Sequence, residues 1–217
     1  DFFRLISNTG GGYCFYKDAK LMRLTRYRYN NAPLDNNGHY YYIKENDTIW
    51  NPGWQPSQTE LDTYECRHGL GYTCYKGTKN NLEACVTTFV PIGSSCVLTR
   101  LSFKNNSDAI KHFSVYSYVE FCLWNAVDDL NNFQRNLSTG EVERNLNTGE
   151  VEIDGSAIYH KTEYRERRNH YALYAMNTSC DGFDTARDSF LGTYGTPAKP
   201  EAVEKSISNN SMADGWS

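Results

Sequence analysis

No segment of this chain approaches the roughly 20 consecutive apolar residues of a membrane-spanning helix, and none sustains an apolar stripe at i, i+3, i+4 and i+7. The first absence gives no spanning helix to a membrane protein, and the second argues against a helical bundle. No basic-then-apolar leader opens the sequence. Charge of one sign is not in excess either: 22 basic residues face 26 acidic ones, for a net charge of -4. That balance offers no polybasic footprint, so neither nucleic acid nor a membrane surface is expected as a partner. The catalytic signatures are missing as well. There is no GxSxG, no phosphate-cradling glycine loop, and no nucleophile with its base nearby.

The seven cysteines (14, 66, 74, 85, 96, 122 and 180) form no CxxC and have no Cys/His ligand spacing. An odd, scattered set with several members in apolar stretches reads as reduced, buried thiols and a cytoplasmic location. No metal and no cofactor are expected. Asn46-Asp47-Thr48 and Asn177-Thr178-Ser179 match the glycosylation pattern, but an Asn-rich chain produces such triplets by chance.

Aromatics are abundant: 17 Tyr, 10 Phe and 4 Trp make up 14% of the chain. Tyr and Trp join an apolar face to a polar edge, which suits half-buried sheets and sugar-stacking surfaces equally. Strand patterns dominate. "VLTRLSFK" (97–104) alternates Val97, Thr99, Leu101 and Phe103 with Leu98, Arg100 and Ser102. "NNSD" (105–108) predicts a turn, and "IKHFSVYSYVEFCLW" (110–124) resumes the strand, so the two runs are expected to form an antiparallel hairpin. Further strands are expected at 40–45, 82–90, 156–164 and 170–177, and 196–210 reads as loop or linker. The fold class expected is all-β, a large β-sandwich of short antiparallel strands in one domain over 1–217. The chain opens on Asp1 and stops at Ser217, and it is read as a fragment of a longer protein, with the sandwich incomplete at both ends.

"RNLSTGEVERNLNTGEVE" (135–152) writes one nine-residue phrase twice, with Ser138 replaced by Asn147. An odd-numbered insertion within a continuous strand would flip every later side chain, so the repeat is expected to be looped out as a lengthened hairpin. A neutral duplication in a tolerant loop is the alternative. Asp128 and Asp129, preceded by Glu120, are the first candidates for an acid/base pair. Adjacent residues on an extended chain diverge, however, whereas paired catalytic carboxylates must converge across one bond. His68, His160 and His170 are expected to be structural, and "YRERR" (164–168) to be a solvated basic run.

Four phrases in order carry a resemblance: "GGYCFYKDAKLMRLTRYRYNN" (11–31), "DTYECRHGLGYT" (62–73), "YVEFCLWNAVDDLNNFQRNLSTGEVE" (118–143), and "GSAIYHKTEYRERRNHYA" (155–172) with "GFDT" (182–185). Together they resemble the N-terminal region of bacterial cellobiose phosphorylases, inverting phosphorylases of glycoside hydrolase family 94. The resemblance implies a supersandwich of the galactose-mutarotase type, followed in the parent by a helical linker and an α/α barrel that this chain does not contain. It implies phosphorolysis of cellobiose to α-glucose 1-phosphate and glucose, with inorganic phosphate as co-substrate. The general acid is implied to be an Asp of the barrel, so no carboxylate here is catalytic. A homodimer is implied, with a sandwich loop reaching over the neighbouring subunit's active-site mouth. "WNAVDDLNNFQRN" (124–136) matches that loop, which makes Asn125, Asn132, Gln134 and Arg135 the implied substrate-binding residues. Amide and guanidinium groups suit sugar hydroxyls because they donate in fixed geometry. The resemblance makes Arg135 functional and Arg144–Glu152 a loop extension. Cys14 stands where the family commonly has Ser. A phosphorylase of the same family acting on another β-glucoside is the alternative within the class, and a carbohydrate-binding sandwich without catalysis and a dimerisation module are the readings from other classes.

Overall fold

The computed structural model describes residues 1–27, 38–127, 149–163 and 169–208, with the backbone alone at 123–124, 149–152, 162–163 and 169–170. Among the described residues the fold is nearly all-β, with four antiparallel sheets. The first sheet joins β1 (Phe2–Ile6), β2 (Gly12–Tyr16), β3 (Arg23–Thr25) and β11 (Phe121–Trp124), in that order. The second has β4 (His39–Glu45) between β10 (Ser114–Val119) and β5 (Thr48–Trp50). A four-stranded meander joins β6 (Thr63–His68), β7 (Tyr72–Lys79), β8 (Leu82–Phe89) and β9 (Leu98–Asn105). The last sheet is β12 (Gly149–Asp154), β13 (Ala157–Glu163) and β14 (Asn169–Ala175).

The period of two read from the sequence sets the faces. In β8, Leu82, Ala84, Val86 and Thr88 are buried, while Glu83, Cys85 and Thr87 lie on the outer face. β4 differs because it is covered on both sides. Ile43 packs with Trp50, Leu82 and Ala84 in one core cluster. Tyr40 and Tyr42 face the other way, into a second cluster with Tyr118, Phe190, Leu191, Ala202 and Val203. Tyrosine serves here because its ring fills the core while its hydroxyl finds a partner: Tyr42 donates to the Pro197 carbonyl at 2.7 Å.

Two local expectations are corrected. The strands on either side of 105–108 are not a hairpin. The turn forms, with Asn105 Oδ1 accepting the Ser107 N–H at 2.9 Å, but β9 pairs with β8 and β10 pairs with β4. The segment 106–113 is long enough to step between sheets, and β4 offers β10 a tyrosine-on-tyrosine ladder in which Tyr40 stacks on Tyr118. The tail is not a linker. Its described part, 196–208, packs on the preceding α1 (Arg187–Leu191), whose Leu191 is fully buried, and holds α2 (Glu201–Lys205), with Pro200 and Val203 fully buried as well. Helices of five residues are too short to show a helical stripe, so only packing reveals them. Val203→Ala is expected to lower the unfolding free energy by about 2 kcal/mol. A urea titration checks this, and a change below about 0.5 kcal/mol, the usual surface range, would mean the tail is dispensable.

The cysteine reading also needs adjustment. None of the seven is in a disulfide, but only Cys14 and Cys122 are buried, and Cys96 and Cys180 are exposed. Cys14 is buried, with its Sγ 3.5 Å from Thr25 Oγ1. No described helix is long and apolar enough to cross a membrane.

Candidate functional site

The segment implied to reach substrate follows β11 in the sequence. Its first member, Asn125, is described. Asn125 Oδ1 accepts the Val127 N–H at 3.1 Å, closing a local turn, and the Ala126 N–H donates to the Lys20 carbonyl at 2.7 Å. Asn132, Gln134 and Arg135 lie outside the described residues, as do Asp128, Asp129, Arg144 and the basic run 164–168. The chain is described again from Gly149, in β12, which pairs with β13 from Gly149↔Thr162 to Asp154↔Ala157. Gly149–Glu152, the end of the second copy, is strand, and the rest of the repeat, 135–148, lies outside the described residues.

What anchors the departing strand is a buried charge cluster at Glu120, just before β11. Arg26 Nη1 donates to Glu120 Oε2 at 2.9 Å, Arg187 Nε donates to Oε1 at 3.2 Å, and the Tyr118 hydroxyl donates to Oε1. The three charged side chains are only 14%, 10% and 26% exposed for Glu120, Arg26 and Arg187. Burial pushes the Glu120 carboxyl up. The two guanidinium charges and the hydrogen bonds from Tyr118 and Arg26 more than offset this and hold it below the usual carboxylate range. A carboxylate so held is ionised and fully engaged, so it can neither donate a proton nor accept one from a substrate at neutral pH. Its role is positioning.

The backbone around it interlocks. The Arg26 N–H donates to the Glu120 carbonyl at 3.0 Å, and the Gly38 N–H donates to the Arg26 carbonyl at 2.8 Å. A Cβ on Gly38 would stand 2.7 Å from that same Glu120 carbonyl, so only glycine allows the approach. On the other side of β11, the Phe121 ring stacks on His160 of β13, with centroids 4.6 Å apart. Burial, with the Arg26 charge nearby, pulls the His160 imidazole down to about 4. His160 is therefore a neutral structural ring, as expected of it. His68 is structural too, with Nδ1 3.0 Å from Thr73 Oγ1. The backbone of His170 lies in β14.

Elsewhere, an open groove lies beside Lys44, Asp47, Lys111 and His112. Its lysines are committed to the fold. Lys44 Nζ donates to the Glu204 carbonyl and to Ser206 Oγ, and Lys111 Nζ pairs with Glu45 at 2.6 Å. Among the described residues, no group of three His, Cys, Asp or Glu side chains is gathered as a metal would need.

Sequence reasoning missed the Arg26–Glu120–Arg187 cluster as a unit. The available signal was a charged residue inside an apolar strand run, Glu120 between Val119 and Phe121 in "YVEFCLW". Such a residue is costly to bury unless paired, so it implies partners without naming them.

Comparison with known proteins places this frame. The chain is 36% identical over 214 residues to an N,N'-diacetylchitobiose phosphorylase of Vibrio proteolyticus, covering 97% of this chain and 26% of that protein. A protein of the same name from Vibrio furnissii is 35% identical over the same shares. A solabiose phosphorylase of Paenibacillus borealis is 29% identical over 178 residues, 80% of this chain and 22% of that one. The chain thus spans about a quarter of the length of these curated relatives. The family model described as "Glycosyl hydrolase 94, supersandwich domain" matches residues 1–217, and the chain belongs to that family as its supersandwich domain.

Proposed function

We propose that this chain is the N-terminal sandwich of an inverting disaccharide phosphorylase, and that the whole protein exchanges a β-glycosidic bond for a bond to inorganic phosphate. The observation that supports it is the family match along all of 1–217, joined to relatives that are themselves named phosphorylases. The chemistry needs little from the sandwich. Inverting hydrolysis requires a general acid and a base to activate water, whereas phosphate attacks the anomeric carbon as an anion and needs no base. One acid, protonating the leaving oxygen, is enough. In this reading it lies in a part of the parent outside this chain, and phosphate is a co-substrate rather than a cofactor.

Asn125, Asn132, Gln134 and Arg135 frame the acceptor sugar at the active-site entrance of a neighbouring subunit in a cytoplasmic homodimer. The Glu120 cluster supports this role by fixing the strand from which that segment departs. Cellobiose is the substrate taken from the resemblance of 118–143. N,N'-diacetylchitobiose is the second reading, favoured by the names of two relatives.

The test is the whole parent protein incubated with each disaccharide, with and without phosphate. Cellobiose is expected to yield glucose 1-phosphate only when phosphate is present, and the 217-residue chain alone is expected to yield none. Release of N-acetylglucosamine 1-phosphate from diacetylchitobiose, with cellobiose inert, would establish the second substrate instead. Turnover without phosphate, or no turnover of any β-linked disaccharide, would overturn the phosphorylase reading and leave a carbohydrate-binding sandwich.

A further inference from the structure

We propose that Cys74 and Cys85 form a dithiol modification site on the outer face of the β6–β9 sheet, closing to a disulfide across β7 and β8 when the protein meets a low-molecular-weight disulfide. The register aligns Cys74 with Thr87 and Lys76 with Cys85, so the two cysteines are diagonal neighbours on one face of adjacent strands. Their Sγ atoms lie 3.0 Å apart, inside the roughly 3.5–4.0 Å at which non-bonded heavy atoms ordinarily rest. A disulfide needs about 2.05 Å, so closure requires about 1 Å of further approach. Both side chains are part-exposed, which admits a small reagent.

The neighbouring thiol is placed differently. Cys66 lies opposite Tyr75, whose ring is buried, so Cys66 belongs to the inner face of the sheet. Around the pair, the Lys76 ammonium is held 3.8 Å from Glu65 and 3.7 Å from Glu83. Burial pushes the Cys85 thiol up, and its hydrogen bond with Cys74 adds to this, so Cys85 rests as a thiol until a reagent arrives.

The exchange balances without any other oxidant. One protein thiolate attacks a sulfur of the small disulfide, breaking its S–S bond and expelling one thiolate. The second protein thiolate then attacks the protein sulfur of that mixed disulfide and expels the other. Two protein thiols are oxidised to one disulfide, one reagent disulfide is reduced to two thiols, and the two protons pass to the departing thiolates. The product pins β7 to β8, whose opposite faces carry the buried Tyr75 and Val86.

The experiment treats the whole protein with glutathione disulfide, blocks remaining thiols with N-ethylmaleimide, and maps peptides by mass spectrometry without reduction. The expected result is a peptide pair joined through Cys74 and Cys85, two hydrogens lighter than the separate thiol peptides and released by dithiothreitol. Maleimide labelling is expected to be lost at both positions. Cys96 shares a tryptic peptide with Cys85, so Cys96→Ser is run in parallel and is expected to keep the cross-link, whereas Cys74→Ser and Cys85→Ser each lose it. Glutathione adducts at Cys74 and Cys85 without a cross-link, a cross-link to Cys96 instead, or undiminished maleimide labelling of the pair would each overturn the proposal. The wild-type map decides the matter even where a serine variant folds poorly.

Discussion

Glu120→Ala is expected to lower the unfolding free energy by about 3–5 kcal/mol, the cost of removing one partner from a buried ion pair. The reason is what remains. Arg26 and Arg187 would keep their charges in a largely buried site, 10% and 26% exposed, with the carboxylate that neutralises one of them gone. Glu120→Gln is expected to cost less, because an amide oxygen still accepts from Arg26 or Tyr118. Urea titrations of the whole protein measure both, and a loss below about 1 kcal/mol for Glu120→Ala would show that water, not Glu120, satisfies the two arginines. The same cluster sets an acid limit. Glu120 has a native pKa below its ordinary value of 4.5, so its contribution is fully present above 4.5 and is lost as pH falls through the depressed native value. His39 and His160 act earlier. Burial holds their native values down to about 3 and about 4 against an ordinary 6.5, so the unfolded chain takes up protons first and stability declines as pH falls below 6.5. Thermal unfolding between about pH 7 and 4 is therefore expected to show Tm falling with pH. A flat profile would mean these rings are hydrated in the native state.

Arg135→Ala and Arg144→Ala occupy equivalent places in the two copies of one phrase, yet they are expected to differ in effect. In the whole parent protein, under the proposed phosphorylase reading, Arg135→Ala is expected to lower kcat/KM by roughly 10- to 150-fold, corresponding to about 1.5–3 kcal/mol for a charge-assisted hydrogen bond. Arg144→Ala is expected to stay within about twofold, as a surface substitution would. A duplication leaves each copy one native junction. The first copy follows "NNFQ" in the run that leaves β11 through Asn125, whereas the second copy ends in Gly149–Glu152, which pairs in β12. In the proposed reading the guanidinium at the substrate belongs to the first copy, whereas the strand at Gly149–Glu152 belongs to the second. Measuring KM for the acceptor sugar in the synthetic direction tests the assignment. A large loss in Arg144→Ala alone would reverse it, and equal, small losses would mean that neither arginine touches sugar.

Strands with clean alternation are legible in the residue order alone: the runs at 40–45, 82–90, 97–104, 156–164 and 170–177 all appear as β4, β8, β9, β13 and β14. Alternation reports a local property, one buried and one wet face, and it survives whatever the strand pairs with. Partner choice is not local. "VLTRLSFK" and "SVYSYV" read as two arms of one hairpin, and only the assembled sheets set β10 against β4. The tail is illegible for a related reason: Ala202 and Val203 form no pattern by themselves, and their burial comes from the tyrosines of β4 and β10 on which they sit. Of the candidate site, the sequence carries the identity of Asn125 and of the residues after it, because a motif is written in residue types. It cannot carry the anchor beneath them. Arg26, Glu120 and Arg187 are far apart along the chain and are brought into one hydrogen-bonded cluster by β3, β11 and α1 together. The sequence by itself thus determined the all-β class, the strands and the family likeness, since each follows from local periodicity or residue order. Strand partners, the docking of the tail and the buried charge cluster were decided by tertiary structure, because each depends on the free energy of contacts that exist only after distant segments meet.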